Sequence, residues 1–163
     1  FAMNLILQIV VAAGVSLACF AGVMLAFRLF SPAPAGLGGL SGLLPCADKP
    51  NAVSSSDPRP SHHVAPLECP ADEDQACAMV ESLMASYPRT VLVKRDGPYF
   101  HFECRSLIFR FIDDVEFLVD AGHGLVEIRS ASRAGHSDLG VNRARVERLR
   151  GMWQAMIKAK GPA

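Results

Sequence analysis

The N-terminal segment constrains the fold of this chain more than any other feature. Residues 5–27 contain no charged side chain, which makes an uncharged run of 23 residues. About 20 predominantly apolar residues are enough for a helix to span the hydrocarbon core of a bilayer. Arg28 ends the run, and Pro32 and Pro34 then favour the end of a helix. We therefore predict a transmembrane helix over residues 1–30.

A secretory signal peptide is the alternative for this segment. The apolar core of a signal peptide usually has about 7–15 residues and follows a basic start. Here the run is longer, and no Lys or Arg precedes it. Both differences favour an anchor that the protein retains, and hence a single-pass membrane protein.

Small residues recur inside the apolar run at helical spacing. Gly14, Ala18, Gly22 and Ala26 stand four residues apart, so they share one face of a helix. Such a face lets another helix approach closely, although Gly is also frequent in membrane helices in general. We expect these residues to pack against other transmembrane subunits, with membrane lipid as the second partner.

The rest of the chain reads as a connector followed by a globular domain. Eight of the eleven prolines lie in residues 31–70, together with four of the glycines. We predict a Pro/Gly linker over residues 31–42 and a domain over residues 43–163. Within this domain, residues 43–70 form an extended strap and residues 71–163 the core.

The core has the pattern of an α+β fold. Asp72 with Gln75 predicts a helix start and Tyr87 its end, and a last helix is expected over residues 140–158. Between the helices, apolar residues alternate with polar ones in four stretches. We predict a small domain with an antiparallel sheet of about four strands and two flanking helices. The strand stretches are 90–95, 99–106, 107–120 and 125–133, with a bulge or turn expected at Asp113 and Asp114.

The order and spacing of several motifs resemble a known family. The motifs are Arg105-Ser106, Phe111–Phe117, Ile128–Arg133 and Ser137–Arg143, and in the strap Leu44–Cys46, Pro50-Asn51, Val53–Ser55, Asp57–Arg59 and Ala65–Leu67. Over residues 43–150 the chain is similar to the family called domain of unknown function 1499. The resemblance implies a small bacterial membrane-anchored or exported domain, with relatives in plastids, and it implies no established activity. The family usually has a second cysteine where Ala52 stands, so a bridge or joint metal site with Cys46 is excluded here.

Cysteine and histidine spacing gives little support for a metal site. Cys46 and Cys69 could form a disulfide in an oxidising compartment, but the sequence does not show whether they are close. A zinc site from these cysteines with His62 and His63 would fit no standard spacing. We therefore expect no metal and no cofactor.

Charged residues on the predicted strands supply the candidate site. Asp114 and Glu116 share a face, and they either act in a polar groove or form ion pairs with Arg105 or Arg129. The start of the last helix, with nearby arginines, could bind an anion. The candidate anion or polar site comprises Arg105, Asp114, Glu116, Arg129, Ser132, Arg133, Asn142 and Arg143.

The function is predicted from this combination of features. The chain has no Gly-x-Ser-x-Gly, phosphate loop, dinucleotide fingerprint or His-Glu-x-x-His motif, which favours a protein without catalytic residues. Lys plus Arg equals Asp plus Glu, at 16 each, which argues against a nucleic-acid partner. We expect a non-catalytic accessory or assembly subunit of a larger membrane complex, respiratory or photosynthetic.

Two other functions are compatible with the same sequence. The protein could instead be a lipid or small-ligand binding domain at the membrane surface, or an enzyme that uses Asp114, Glu116 and Arg129. We expect the globular domain on the non-cytoplasmic side, which is the bacterial periplasm, or the thylakoid lumen in a plastid.

Overall fold

The computed structural model describes residues 2–29, 34, 36–69, 72–107 and 110–160. The chain divides into two compact units, residues 1–32 and 33–163. The first unit is one helix, α1, which spans Ala2–Leu29. Its segment Met3–Val23 is long and apolar enough to cross a membrane, a property that a signal sequence would share. The predicted helix stop at Pro32 lies outside the described residues.

The second unit is built on one antiparallel sheet. Its strands are β1 (Ala52–Ser54), β2 (Leu67–Glu68), β3 (Thr90–Asp96), β4 (Tyr99–Arg105), β5 (Ile112–Asp120) and β6 (Leu125–Ser132). The strand order is β1-β6-β5-β4-β3, and β2 also pairs with β6. Two helices, α2 (Glu73–Ser86) and α3 (Val141–Lys160), accompany the sheet.

The predicted α+β class is confirmed, but the predicted strand number is wrong. The described residues contain six strands instead of about four. Both additional strands, β1 and β2, come from the proline-rich strap and pair with β6. They have three and two residues, which is too short for an alternation of polar and apolar residues to be recognised.

The predicted bulge at Asp113 and Asp114 is also wrong. Strand β5 keeps a continuous register with both neighbours through these positions. The two carboxylates point to opposite faces of the sheet, where Arg145 and Arg133 neutralise them. The irregularity in the sheet lies instead between Leu92 and Lys94 on the edge strand β3.

Helices α2 and α3 cover one face of the sheet and bury its aromatic side chains. Helix α2 begins as predicted, since the carboxylate of Asp72 accepts a hydrogen bond of 2.8 Å from the Gln75 N–H. The core unites fully buried residues of both helices with those of the sheet. These include Val80, Leu83, Val146, Leu149 and Trp153 from the helices, and Phe100, Val115, Phe117, Val126 and Ile128 from the strands.

Candidate functional site

The opposite face of the sheet carries charged side chains, and the linker and strap lie across it. Cys46 in the strap is buried with Ala52 of β1 and Ala131 of β6. The backbone N–H of Gly38 donates a hydrogen bond of 2.6 Å to Oε1 of Glu116. A β-carbon at Gly38 would lie 2.8 Å from the carbonyl oxygen of Gly42, so only glycine allows this close approach. The linker and strap therefore cover part of the polar face, where Glu116 and Arg129 are buried.

Glu116 is the centre of the first charged cluster on this face. Its side chain is fully buried and accepts hydrogen bonds from the Tyr99 hydroxyl at 2.8 Å and from Nη1 of Arg129 at 2.5 Å. Burial, together with the neighbouring Glu116 carboxylate, raises the pKa of the Tyr99 phenol well above its usual value. Tyr99 is therefore a hydrogen-bond donor at neutral pH.

Asp114, which lies two residues before Glu116 on β5, is the centre of a second cluster. It accepts a hydrogen bond of 2.7 Å from His101 Nε2, and bonds of 2.9 and 2.7 Å from Nε and Nη2 of Arg133. Nη2 of Arg133 also lies 2.6 Å from Glu103. Burial raises the pKa of the Asp114 carboxyl, but the hydrogen bonds from His101 and Arg133 outweigh it, so the pKa is lowered overall.

A third polar cluster lies on the helix-covered face and joins α3 to the sheet. Arg145 pairs with Asp113 and donates to Ser130 Oγ at 2.9 Å and to Asn142 Oδ1 at 2.6 Å. The Asn142 amide in turn donates to the carbonyl oxygen of Asn51 at 2.8 Å. This network therefore fixes the helix, the sheet and the strap to one another.

The structure brings together only some of the predicted site residues. Asp114, Arg129, Ser132 and Arg133 line a common cleft, while Glu116 pairs with Arg129. The others lie elsewhere. Arg105 pairs with Glu103, Asn142 belongs to the helix-face network, and Arg143 donates to the carbonyl oxygens of His63 and Ser61 at 2.9 Å. Arg143 thus binds the strap, while Arg133 belongs to the Asp114 cluster on the polar face.

The cleft lies between the strap and the polar face and has a volume of about 350 Å³. Its strap side includes Leu44, Pro45, Cys46, Ala47 and Lys49. Its sheet side includes Asp114, Arg129, Ala131, Ser132 and Arg133. Sequence reasoning missed the strap side, because no local pattern shows where an irregular segment crosses a sheet.

Arg129 lines this cleft, and one of its hydrogen-bond donors is unused. Only 8% of its side chain is exposed, and its Nε atom is buried without a hydrogen-bond partner among the described residues. Buried polar atoms are nearly always paired in proteins, so this atom requires an explanation.

Cys46 lines the same cleft with a buried thiol. Burial raises the pKa of the Cys46 thiol to about 11, so the thiol stays protonated at neutral pH. Its backbone N–H donates to Asp57 at 2.8 Å, and Asp57 pairs with Arg59 at 2.7 Å. Within the described ranges, no group of three or more His, Cys, Asp or Glu side chains is arranged to hold a metal ion.

Comparison with known proteins adds one finding. The sequence profile of the family described as "Protein of unknown function (DUF1499)" matches residues 42–152. No curated protein and no solved structure matches the chain. The matched range includes all six strands, α2 and both described charged clusters on the polar face.

Proposed function

Because the chain belongs to the DUF1499 family, whose description assigns no activity, we propose a role from the geometry: a non-catalytic accessory or assembly subunit of a larger membrane complex, anchored by α1. One observation carries this proposal. The acidic and basic side chains of the polar face bind one another beneath the linker and strap. The side chains that are the best candidates for catalysis therefore form ion pairs, which stabilise the domain.

The arrangement disfavours the enzyme alternative. A general acid or base must come within hydrogen-bond reach of a substrate. Glu116 is fully buried and already accepts three hydrogen bonds, while Asp114 is bound to His101 and Arg133. The three residues Asp114, Glu116 and Arg129 are thus divided between two separate ion-pair clusters.

The surface of α1 supports attachment to other membrane subunits. Its side chains from Met3 to Val23 are exposed within the chain, so lipid or another helix must cover them in a membrane. A β-carbon added at Gly14 or Gly22 would meet no atom within 4 Å. Larger side chains at these positions can therefore disturb contacts with a partner without disturbing this chain. The side chain of Ala26, the fourth member of the stripe, lies outside the described residues.

The test is purification of the native protein in mild detergent, followed by mass spectrometry of the co-purifying subunits. We expect Gly14→Leu with Gly22→Leu to release these subunits, because leucine prevents close helix approach. Ala13→Leu, on the opposite side of the helix, is the matched control and should retain them. Isolation of the wild-type protein as a lone monomer would contradict the proposal, as would an intact mass that lacks α1.

The location of the domain and the kind of complex are tested by separate measurements. We propose that the domain lies on the non-cytoplasmic side, as its resemblance to exported domains and its proline-rich, cysteine-containing strap suggest. A protease added to sealed, right-side-out membranes should then degrade the domain. Protection from the protease would contradict this orientation. The co-purified subunits identify the complex as respiratory, photosynthetic or neither.

A second candidate function is the binding of a small ligand, which the cleft favours. An apolar ligand cavity between the sheet and α3 is disfavoured, because buried residues such as Trp153, Leu149 and Phe117 fill that space. The cleft on the polar face is instead open and is lined by Arg129, whose Nε atom is unpaired among the described residues. An accessory subunit can carry such a site, so the two functions are compatible.

A further inference from the structure

We propose that the cleft between the strap and the sheet binds a small amphipathic anion, whose oxyanion head is held by Arg129. The inference rests on the second candidate function, ligand binding, and is independent of the membrane partner. It specifies the chemical class of the ligand and the residue that recognises its head.

The argument for an anionic head begins with Arg129. Its side chain is more than nine-tenths buried, and Nη1 is engaged by Glu116 while Nε has no partner. Arginine is never deprotonated in proteins, so this donor cannot lose its proton to avoid the unmet bond. Because Nε is itself buried, a rotation of the guanidinium must bring it to an oxygen acceptor in the cleft, and a charged oxygen forms the stronger bond.

The charges around the cleft agree with an anion. Three bases line it, Lys49, Arg129 and Arg133. Arg129 is paired with Glu116, and Arg133 is paired with Asp114 and Glu103, so among the described lining residues Lys49 is the base that no acid neutralises. The bonds of Arg133 to Asp114 and Glu103 use Nε and Nη2, which leaves Nη1 for a further acceptor. Glu116, the partner of Arg129, is also bound by the Tyr99 hydroxyl and the Gly38 N–H.

The remaining lining predicts an apolar tail. Leu44, Pro45 and Ala47 of the strap face the cleft together with Ala52 and Ala131 of the sheet. Leu44 stays 42% exposed, so its side chain is available for a ligand to cover. A volume of about 350 Å³ lies at the lower end of the range for ligand pockets and suits a molecule of modest size. The Cys46 thiol stays protonated beside it, so we expect reversible binding without covalent chemistry.

The experiment is calorimetric titration of the full chain in lipid nanodiscs with three probes: hexanoate, 1-hexanol and inorganic phosphate. Hexanoate presents both head and tail, and we expect it to bind at least about tenfold more tightly than either other probe. Equal binding of hexanol would overturn the role of Arg129, and equal binding of phosphate would overturn the apolar tail.

Two variants locate the binding to the cleft. Ala47→Phe fills the cleft from an exposed strap position, and it should weaken hexanoate binding by about tenfold or more. Ala78→Phe, at an exposed position of α2 away from the cleft, is the matched control and should leave binding unchanged. Unchanged affinity in Ala47→Phe would overturn the site.

Substitutions of Arg129 test whether this residue binds the oxyanion head of the ligand. Arg129→Gln should abolish the preference of the protein for hexanoate over hexanol, and Arg129→Lys should restore part of it. Because Arg129 also neutralises Glu116, circular dichroism must first show that each variant is folded. If Arg129→Gln is unfolded, Ala47→Phe alone decides the proposal. The outcome is separate from that of the co-purification test, which does not use the cleft.

Discussion

Single residues are most sensitive where a charge is buried, as at the pair of Asp113 and Arg145. Both side chains are more than nine-tenths buried. We expect Asp113→Ala to lower the free energy of unfolding by about 3–5 kcal/mol, because it leaves an uncompensated guanidinium in the interior. Chemical denaturation of the full chain in detergent measures this loss.

The matched control replaces both charges with apolar side chains. The double variant Asp113→Leu, Arg145→Met removes the unpaired charge and should recover most of the lost stability. A single variant as stable as the wild type would show that water reaches Arg145. A double variant no better than the single one would show that the hydrogen bonds of Arg145 to Ser130 and Asn142 matter more than its charge.

Asp114 makes stability depend on pH in the acidic range. Its folded-state pKa lies below the unfolded value of about 3.9. Asp114 therefore stabilises the fold above that value, and its contribution is lost as the pH falls through the lowered pKa. We expect Asp114→Asn to reduce the difference in melting temperature between pH 6 and pH 3. Asp48→Asn, at a fully exposed carboxylate, is the control and should leave the difference unchanged.

The residue patterns predicted part of the candidate site. Alternation along β5 places Asp114 and Glu116 on one face, and the pairing of β5 with β6 puts Arg129 opposite Glu116. The buried state of these residues could not be predicted, because it depends on the linker and strap. Gly38 reaches Glu116 across 78 residues of sequence, and no local pattern contains that contact.

At the scale of elements, helix α2 depends on its N-terminal cap. The Asp72 carboxylate accepts from the Gln75 N–H, which would otherwise lack a partner at the start of the helix. We expect Asp72→Ala to lower the free energy of unfolding by about 1 kcal/mol. Asp72→Asn retains a side-chain acceptor and should cost much less. Equal losses in the two variants would indicate that the charge near the helix terminus, and not the hydrogen bond, is what stabilises α2.

Basic residues of helix α3 bind other parts of the same chain. The periodicity of α3 predicts a buried stripe of Val146, Leu149, Trp153 and Met156; the first three are buried, and Met156 is half-buried against the core. Its basic charge predicts either a complement to the acidic start of α2 or a face open to lipid or to an acidic partner. Instead Arg150 donates to the carbonyl oxygens of Pro66 and Ala65, at 2.8 and 2.5 Å.

These arginine contacts explain why the strap can lie in one place without regular structure. Arg143 binds two carbonyl oxygens of the strap, as Arg150 does, and guanidinium donors thus satisfy backbone groups that no strand pairs. Sequence alone could not assign this role, since the carbonyl oxygens of an irregular segment carry no residue signature. The strands β1 and β2 could not be predicted either, because three and two residues are too few to show an alternation of polar and apolar side chains.

For the whole molecule, the linker and strap decide whether the polar face is enclosed. We expect a chain that begins at Pro34 to fold without α1, because residues 33–163 form a compact unit with their own hydrophobic core. A chain that begins at Asp48 would lose Gly38 and also the buried Leu43 and Cys46. Its free energy of unfolding should be lower by at least about 2 kcal/mol, since burial of one such apolar side chain contributes about that much.

Denaturation of both truncated chains by urea, followed by circular dichroism, measures this difference. Hexanoate titration of the same two chains reports on the cleft, since the shorter chain lacks Leu44, Pro45 and Ala47 from its wall. We expect binding only in the longer chain. Equal stability of the two chains would mean that the sheet keeps its charged clusters paired without this cover. If the two chains are equally stable and only the longer one binds hexanoate, the segment before Asp48 contributes to ligand binding and not to stability.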